Sequence, residues 1–141
     1  EYASEDGTRQ RPVVVHRAMY GSLERFLGVL IEHLAGAFPL WIAPVQAVVV
    51  PIADRHNDYC HEVGAKLTAA GIRVEVNDSN DRMNSKIRQA QLQKVPYMLV
   101  AGDREVESAT VAVRTRTGEN LDPMSADEVV EKFLKQIADK S

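Results

Sequence analysis

From Val45 onward, short apolar runs alternate with helix-length amphipathic stretches, and that alternation confines the chain to a layered α/β fold. Val45-Gln-Ala-Val-Val-Val50 reads as a buried strand that Pro51 ends. A helix opening at Asp54 or Asp58 follows, with Tyr59, Val63, Leu67 and Ala70 on one face and Gly71 placed to cap its C-terminus. Ile72 to Val76 is a second strand. Asn77-Asp-Ser-Asn-Asp81 is a polar loop rich in N-cap residues, leading into a helix from about Met83 to Gln93. Pro96 stops it, Tyr97 to Ala101 is a third buried strand, Gly102-Asp103 turns the chain, and Thr110 to Thr115 alternates as a fourth strand. Ser125-Ala-Asp-Glu128 is a capping box that starts a last helix with Val130, Phe133, Leu134 and Ile137 inward. With right-handed crossovers, the order β-α-β-α-β-β-α gives a mixed, mostly parallel sheet flanked by helices. Ligands in such folds gather at strand ends, so loops 77–82 and 102–108 are the expected functional loops.

The N-terminal part follows a different pattern. Residues 2–17 read as two strands around a turn at Asp6-Gly7, the second of them Arg11 to His16. Leu23, Phe26, Leu27, Leu30, Ile31, Leu34 and Phe38 keep helical spacing and make one broad apolar face, closed by Gly36 and Pro39. Exposing that face is costly, so it is expected to pack on the second domain or on another copy of the chain. Phe38 to Pro44 carries two prolines and reads as a linker with Trp41 docked on a neighbour. The expected division is 1–38, a linker at 39–44, and a domain at 45–141.

Composition narrows the function classes. In 141 residues, 45% are hydrophobic and 26% charged, enough for a real core. No run approaches the roughly 18 apolar residues that span a bilayer, and no basic-then-apolar leader is present, so a cytoplasmic setting without membrane contact is expected. Cys60, the single cysteine, excludes an internal disulfide and reads as a small buried residue. The net charge of −3 argues against indiscriminate nucleic-acid binding, DNA included. Between Asp78 and Arg116, however, seven Lys/Arg stand against five acids, a local balance of +2 that permits a small site for structured RNA.

Several side chains are candidates for chemistry. Arg25, near a helix start, suits a triphosphate because a guanidinium is always charged and bonds bidentately; the ordinary alternative is a surface pair with Glu32. His16 ends an apolar strand with no second metal ligand near it, and His33, His56 and His61 read as solvated or capping residues. Asn80, Glu105 and Arg114 offer directed donors and acceptors of the kind that read unpaired bases, against the plainer reading of a charged loop and solvent-facing arginines. Lys86, Arg88, Lys94 and Arg116 are candidates to rest against RNA phosphates, which positions RNA without reading it. No phosphate-cradling G-x-x-x-x-G-K-[ST] loop occurs, so nucleotide hydrolysis in the second domain is not expected.

The segment His16-Arg-Ala-Met-Tyr-Gly-Ser-Leu-Glu-Arg25-Phe resembles the third signature motif of class II aminoacyl-tRNA synthetases. Pro39 to Gln46, Ala70 to Val74, Lys86-Ile-Arg, Val95 to Glu107 and Val111 to Arg116 extend the resemblance to the C-terminal part of the threonyl-tRNA synthetase family. The resemblance implies a class II anticodon-binding domain preceded by a remnant of a catalytic domain, within a longer, homodimeric, ATP-dependent ligase that charges tRNA with threonine. It implies that Arg25 contacts the nucleotide, that Ser22 lies beside the adenylate, and that His16 is one ligand of a zinc whose other ligands lie upstream. It further implies that Asn80, Glu105 and Arg114 contact the anticodon of threonine tRNA, chiefly its middle guanine and third uracil. Neither ATP nor zinc is expected on this stretch alone, which lacks a complete active site. The alternative is a non-catalytic protein-interaction or tRNA-binding module that keeps the anticodon-domain fold.

Overall fold

The computed structural model describes residues 1–140. Its centre is a five-stranded sheet in the order β4-β3-β5-β6-β7, made of β3 (Ala47–Pro51), β4 (Val74–Val76), β5 (Tyr97–Ala101), β6 (Thr110–Thr115) and β7 (Met124–Ser125). β3 pairs parallel with β4 and β5, while β6 runs antiparallel to β5 and β7. The sheet is thus mixed and mostly parallel, as the alternation predicts. β3 lies inside the sheet, and its residues divide between two cores because side chains alternate across a strand. Ala47 and Val49 join Leu67, Leu99 and Phe133 under α2 (Asn57–Ala69) and α5 (Ala126–Asp139). Val48 and Val50 join Ile87, Ala90 and Met98 under α3 (Met83–Leu92) on the other face.

Caps fall where the sequence places them. Ser125 Oγ accepts from Glu128 N, and Glu128 Oε2 accepts from Ser125 N at 2.7 Å. Gly71 takes φ +82° beyond the end of α2, which lets Ile72 N reach back to Leu67 O at 3.1 Å. One glycine is required for close approach: a Cβ on Gly64 in α2 would lie 2.7 Å from Val76 Cγ2 on β4. Gly64→Ala is therefore expected to destabilise by about 1–2 kcal/mol, overpacking outweighing the helix-propensity gain of about 1 kcal/mol. Urea unfolding of the two proteins checks this; a stabilised Gly64→Ala would show that α2 shifts off the sheet freely.

The structure corrects three N-terminal and loop expectations. β1 (Tyr2–Ala3) and β2 (Arg9–Gln10) do flank the Asp6-Gly7 turn, but the second strand ends before Val13, Val14 and Val15, which are more than 80% exposed. An apolar triplet needs a partner strand to become one, and none lies beside it among the described residues. α1 (Leu23–His33) forms as predicted, but none of its residues is buried among the described residues; the Phe26 ring meets only that of Tyr20, 4.8 Å away, so its apolar face is not buried on the sheet domain. Residues 103–107 form a short helix, α4 (Asp103–Glu107), in place of an open charged loop. No helix among the described residues is long and apolar enough to cross a membrane.

Segment 39–44 is a strap held to the sheet domain. Gln46, fully buried, donates from Nε2 to Leu40 O and accepts from Arg73 N, each at 2.8 Å. Arg73 donates to Ala43 O at 2.9 Å and Trp41 O at 3.0 Å, Arg116 Nη1 to Phe38 O at 2.6 Å, and Lys94 Nζ to Ala35 O. Trp41 itself remains 39% exposed, with the Lys140 ammonium 5.9 Å from its ring, so its side chain is not docked in a core.

Candidate functional site

α3 covers the β3-β5 part of its face and leaves β6 open. Arg114 pairs with Met98, and Ala112 with Val100, so both β6 side chains stand on the α3 side of the sheet. Beside them is a hollow of about 260 Å³ walled by Met83, Ile87, Val100, Ala112, Arg114 and Leu121. The turn after β6 closes one side: Gly118 takes φ +91°, Leu121 N returns to Val113 O at 2.8 Å, and Arg114 bridges Asn120. A Cβ on Gly118 would lie 3.7 Å from Arg114 Nη2, so the guanidinium rests against that turn. Its Nε is buried and makes no hydrogen bond among the described residues. Leaving a buried donor unpaired costs about 1–3 kcal/mol.

Neither of the other two base-reading candidates lines this hollow. Asn80 is exposed in the loop that runs directly into Met83, on the hollow's wall. That loop is ordered by Asn77 Oδ1, which accepts from Ser79 Oγ at 2.8 Å, and by His61 Nε2, 3.2 Å from Asp78. Glu105 is half-buried in α4, where Oε2 accepts from Gly102 N at 2.9 Å. It stands past the C-terminal end of β5, whereas Arg114 is level with Met98 near the start. Three strand residues span roughly 10 Å, and no Glu105–Arg114 ion pair forms among the described residues.

Of the phosphate candidates, Arg88 alone keeps the placement sequence reasoning assigns, exposed on α3. Lys86 is only 4% exposed, because its position on α3 turns inward with Ile87, and it is not open to a phosphate. Arg116 and Lys94 each give a donor to a carbonyl of the segment before the strap, Phe38 O and Ala35 O. Backbone groups made that demand, which charge patterning does not register.

In the N-terminal segment Ser22 is the N-cap of α1, its Oγ accepting from Arg25 N at 3.3 Å and donating to Glu24 at 2.9 Å. Arg25 is exposed and forms no ion pair, with Glu32 or otherwise, among the described residues. His16 is exposed, and no group of three His, Cys, Asp or Glu gathers around it or elsewhere among the described residues. These residues alone do not fit a zinc ion. Cys60 is fully buried and its thiol is pushed up to about 11, chiefly by burial. It is expected to stay unmodified by Ellman's reagent in the native protein and to react in denaturant; rapid native labelling would show that α2 opens locally.

One cluster escaped the sequence reading. His56 is buried against the start of α4, where its Nε2 lies 2.9 Å from Asp103 Oδ1, and Arg55 grips the same carboxylate with two bonds of 2.8 and 2.6 Å. No local signal links these residues, which come from different loops.

Residues 46–136 match the family model described as "Anticodon binding domain". The whole chain is 52% identical to part of the threonine–tRNA ligase of Caldanaerobacter subterraneus subsp. tengcongensis, covering 22% of that protein. Over 129 residues, 92% of the chain, it is 57% identical to part of the threonine–tRNA ligase of Nitratidesulfovibrio vulgaris, covering 20% of it. Among solved structures it is similar to the RNA-binding domain of threonyl-tRNA synthetase from Cryptosporidium parvum, with TM-score 0.79 and 35% identity over 85% of this chain and 30% of that one. Prolyl-tRNA synthetase of the same organism gives TM-score 0.60 and 25% identity over 72% of this chain and 24% of that one. The chain spans about a fifth of the length of the curated relatives it matches.

Proposed function

The chain belongs to the anticodon-binding domain family, and from that premise we propose that residues 45–141 bind the anticodon stem-loop of threonine tRNA for a threonine–tRNA ligase. The observation that carries this reading is Arg114 on the wall of an open hollow beside β6, with its buried Nε unpartnered among the described residues. Arginine bonds guanine O6 and N7 together, and an acidic side chain accepts from guanine N1 and N2. Arg114 and Glu105 thus suit opposite edges of one unstacked guanine, and Asn80 suits the base beside it. Arg88 would rest on phosphate.

Residues 1–38 would belong to the catalytic part of a longer, homodimeric, cytoplasmic enzyme that activates threonine with ATP and transfers it to the tRNA 3′ end. Arg25 would hold the nucleotide there, and Ser22 would lie beside the adenylate. His16 would give one bond to a zinc ion completed by residues outside this stretch. The discriminating experiment is titration of the chain with a threonine anticodon stem-loop and with one whose middle guanine is replaced by adenine. Preference for guanine by about 5- to 150-fold is expected. Equal affinity for both would remove base reading from this domain.

A further inference from the structure

α4 has five residues and buries none of them completely, and a single helical turn does not hold its shape in water without tertiary support. Its support at the N-terminal end is polar. Ala53 N–H donates to His56 Nδ1 at 3.2 Å, which places the ring proton on Nε2, and Nε2 donates to Asp103 Oδ1. Arg55 adds Nε to Oδ1 and Nη2 to Oδ2. The Asp103 carboxylate therefore accepts three bonds from the loop that follows β3, while its own backbone begins α4 after β5. The two loops leave the sheet side by side, because Pro51 pairs with Ala101 and Ile52 N donates to Ala101 O at 3.0 Å. Arg55, and after it His56, hold the Asp103 carboxyl well below the usual carboxylate range, as expected for a group whose ionised form makes these bonds.

Next to this tether, Glu105 has little latitude. Its Oε2 accepts from Gly102 N, and a Cβ on Gly102 would lie 3.1 Å from that oxygen and 2.6 Å from Ile52 Cδ1. We propose that Asp103 is a positioning residue: gripped by Arg55 and His56, it pins the first turn of α4 and thereby sets the Glu105 carboxylate where RNA is read. This rests on the reading of Glu105 as an anticodon contact. Asp103 and its two partners then act on specificity without touching a base.

The test compares a stem-loop carrying the middle guanine with one carrying inosine, which lacks the N2 amine, for the wild-type chain, Glu105→Gln, Asp103→Asn and the double variant. The wild type is expected to favour guanine by about tenfold. Each single variant should lose that preference, and the double variant should lose no more than either, as for residues acting as one unit. In the free chain, the Gly102 amide resonance should move on Glu105→Gln in the otherwise wild-type protein, and this response should be smaller in the Asp103→Asn background. A wild type indifferent to the change of base overturns the reading of Glu105 as an RNA contact. A discriminating wild type whose Asp103→Asn form keeps both the preference and the Gly102 response overturns the pinning alone. Arg55→Gln, which leaves the His56 bond in place, carries the same expectation at smaller amplitude and decides the matter if Asp103→Asn does not fold.

Discussion

Phe133→Ala is expected to remove about 3–5 kcal/mol of folding stability, the range for truncating a fully buried aromatic. Phe133 is wholly buried at the centre of α5, in one core with Leu67, Leu99, Val111 and Val129. Its ring lies 4.6 Å from that of Tyr97 on β5, and the Tyr97 hydroxyl donates to Gln136 one turn further along α5 at 3.0 Å. Removing the ring leaves a void between the sheet and a helix that both neighbours help to fix, so little collapse into it is available. A domain of this size is stable by about 5–15 kcal/mol in all, so the variant loses roughly a fifth of its stability or more. Urea unfolding followed by circular dichroism measures the loss. A midpoint close to the wild-type value would mean that α5 is not part of the cooperative core.

The parts of this fold legible in the sequence are those decided by neighbours along the chain. The valine run before Pro51, the Ser125–Glu128 capping box and Gly71 beyond α2 each state a local requirement that the folded chain meets in place. What was not legible depends on distant partners. Val13 to Val15 carry a strand pattern, yet a strand needs a neighbour to pair with. α4 looks like a charged loop because the Arg55–Asp103 and His56–Asp103 bonds that hold it join separate loops. Lys86 and Arg116 read as surface cations until the inward turn of α3 and the Phe38 carbonyl redirect them. The candidate reading site divides along the same line. Asn80 stands out by its chemistry and its loop at a strand end, and Arg114 by its chemistry and its alternation along the fourth strand, whereas the burial of the Arg114 Nε without a partner depends on the fold around it.

That orphaned donor sets the sign of two opposing effects at one residue. Arg114→Ala should weaken binding of the cognate stem-loop by about 1–3 kcal/mol, some 5- to 150-fold, and should abolish the preference for guanine at the middle position. Arg114→Lys keeps a charge but cannot offer two parallel donors, so it should retain salt-dependent attraction while losing the same preference. The free protein should respond the other way. In Arg114→Met an apolar chain of similar reach replaces a buried donor that has no partner among the described residues, and the desolvation cost of that donor disappears with it. Its unfolding midpoint is therefore expected to equal or exceed that of the wild type, even as recognition is lost. Loss of function with stability unchanged or gained identifies a group kept for its ligand rather than for the fold. If Arg114→Met instead unfolds more easily and binds the stem-loop as tightly as before, Arg114 is a structural strut and the hollow beside β6 reads no base.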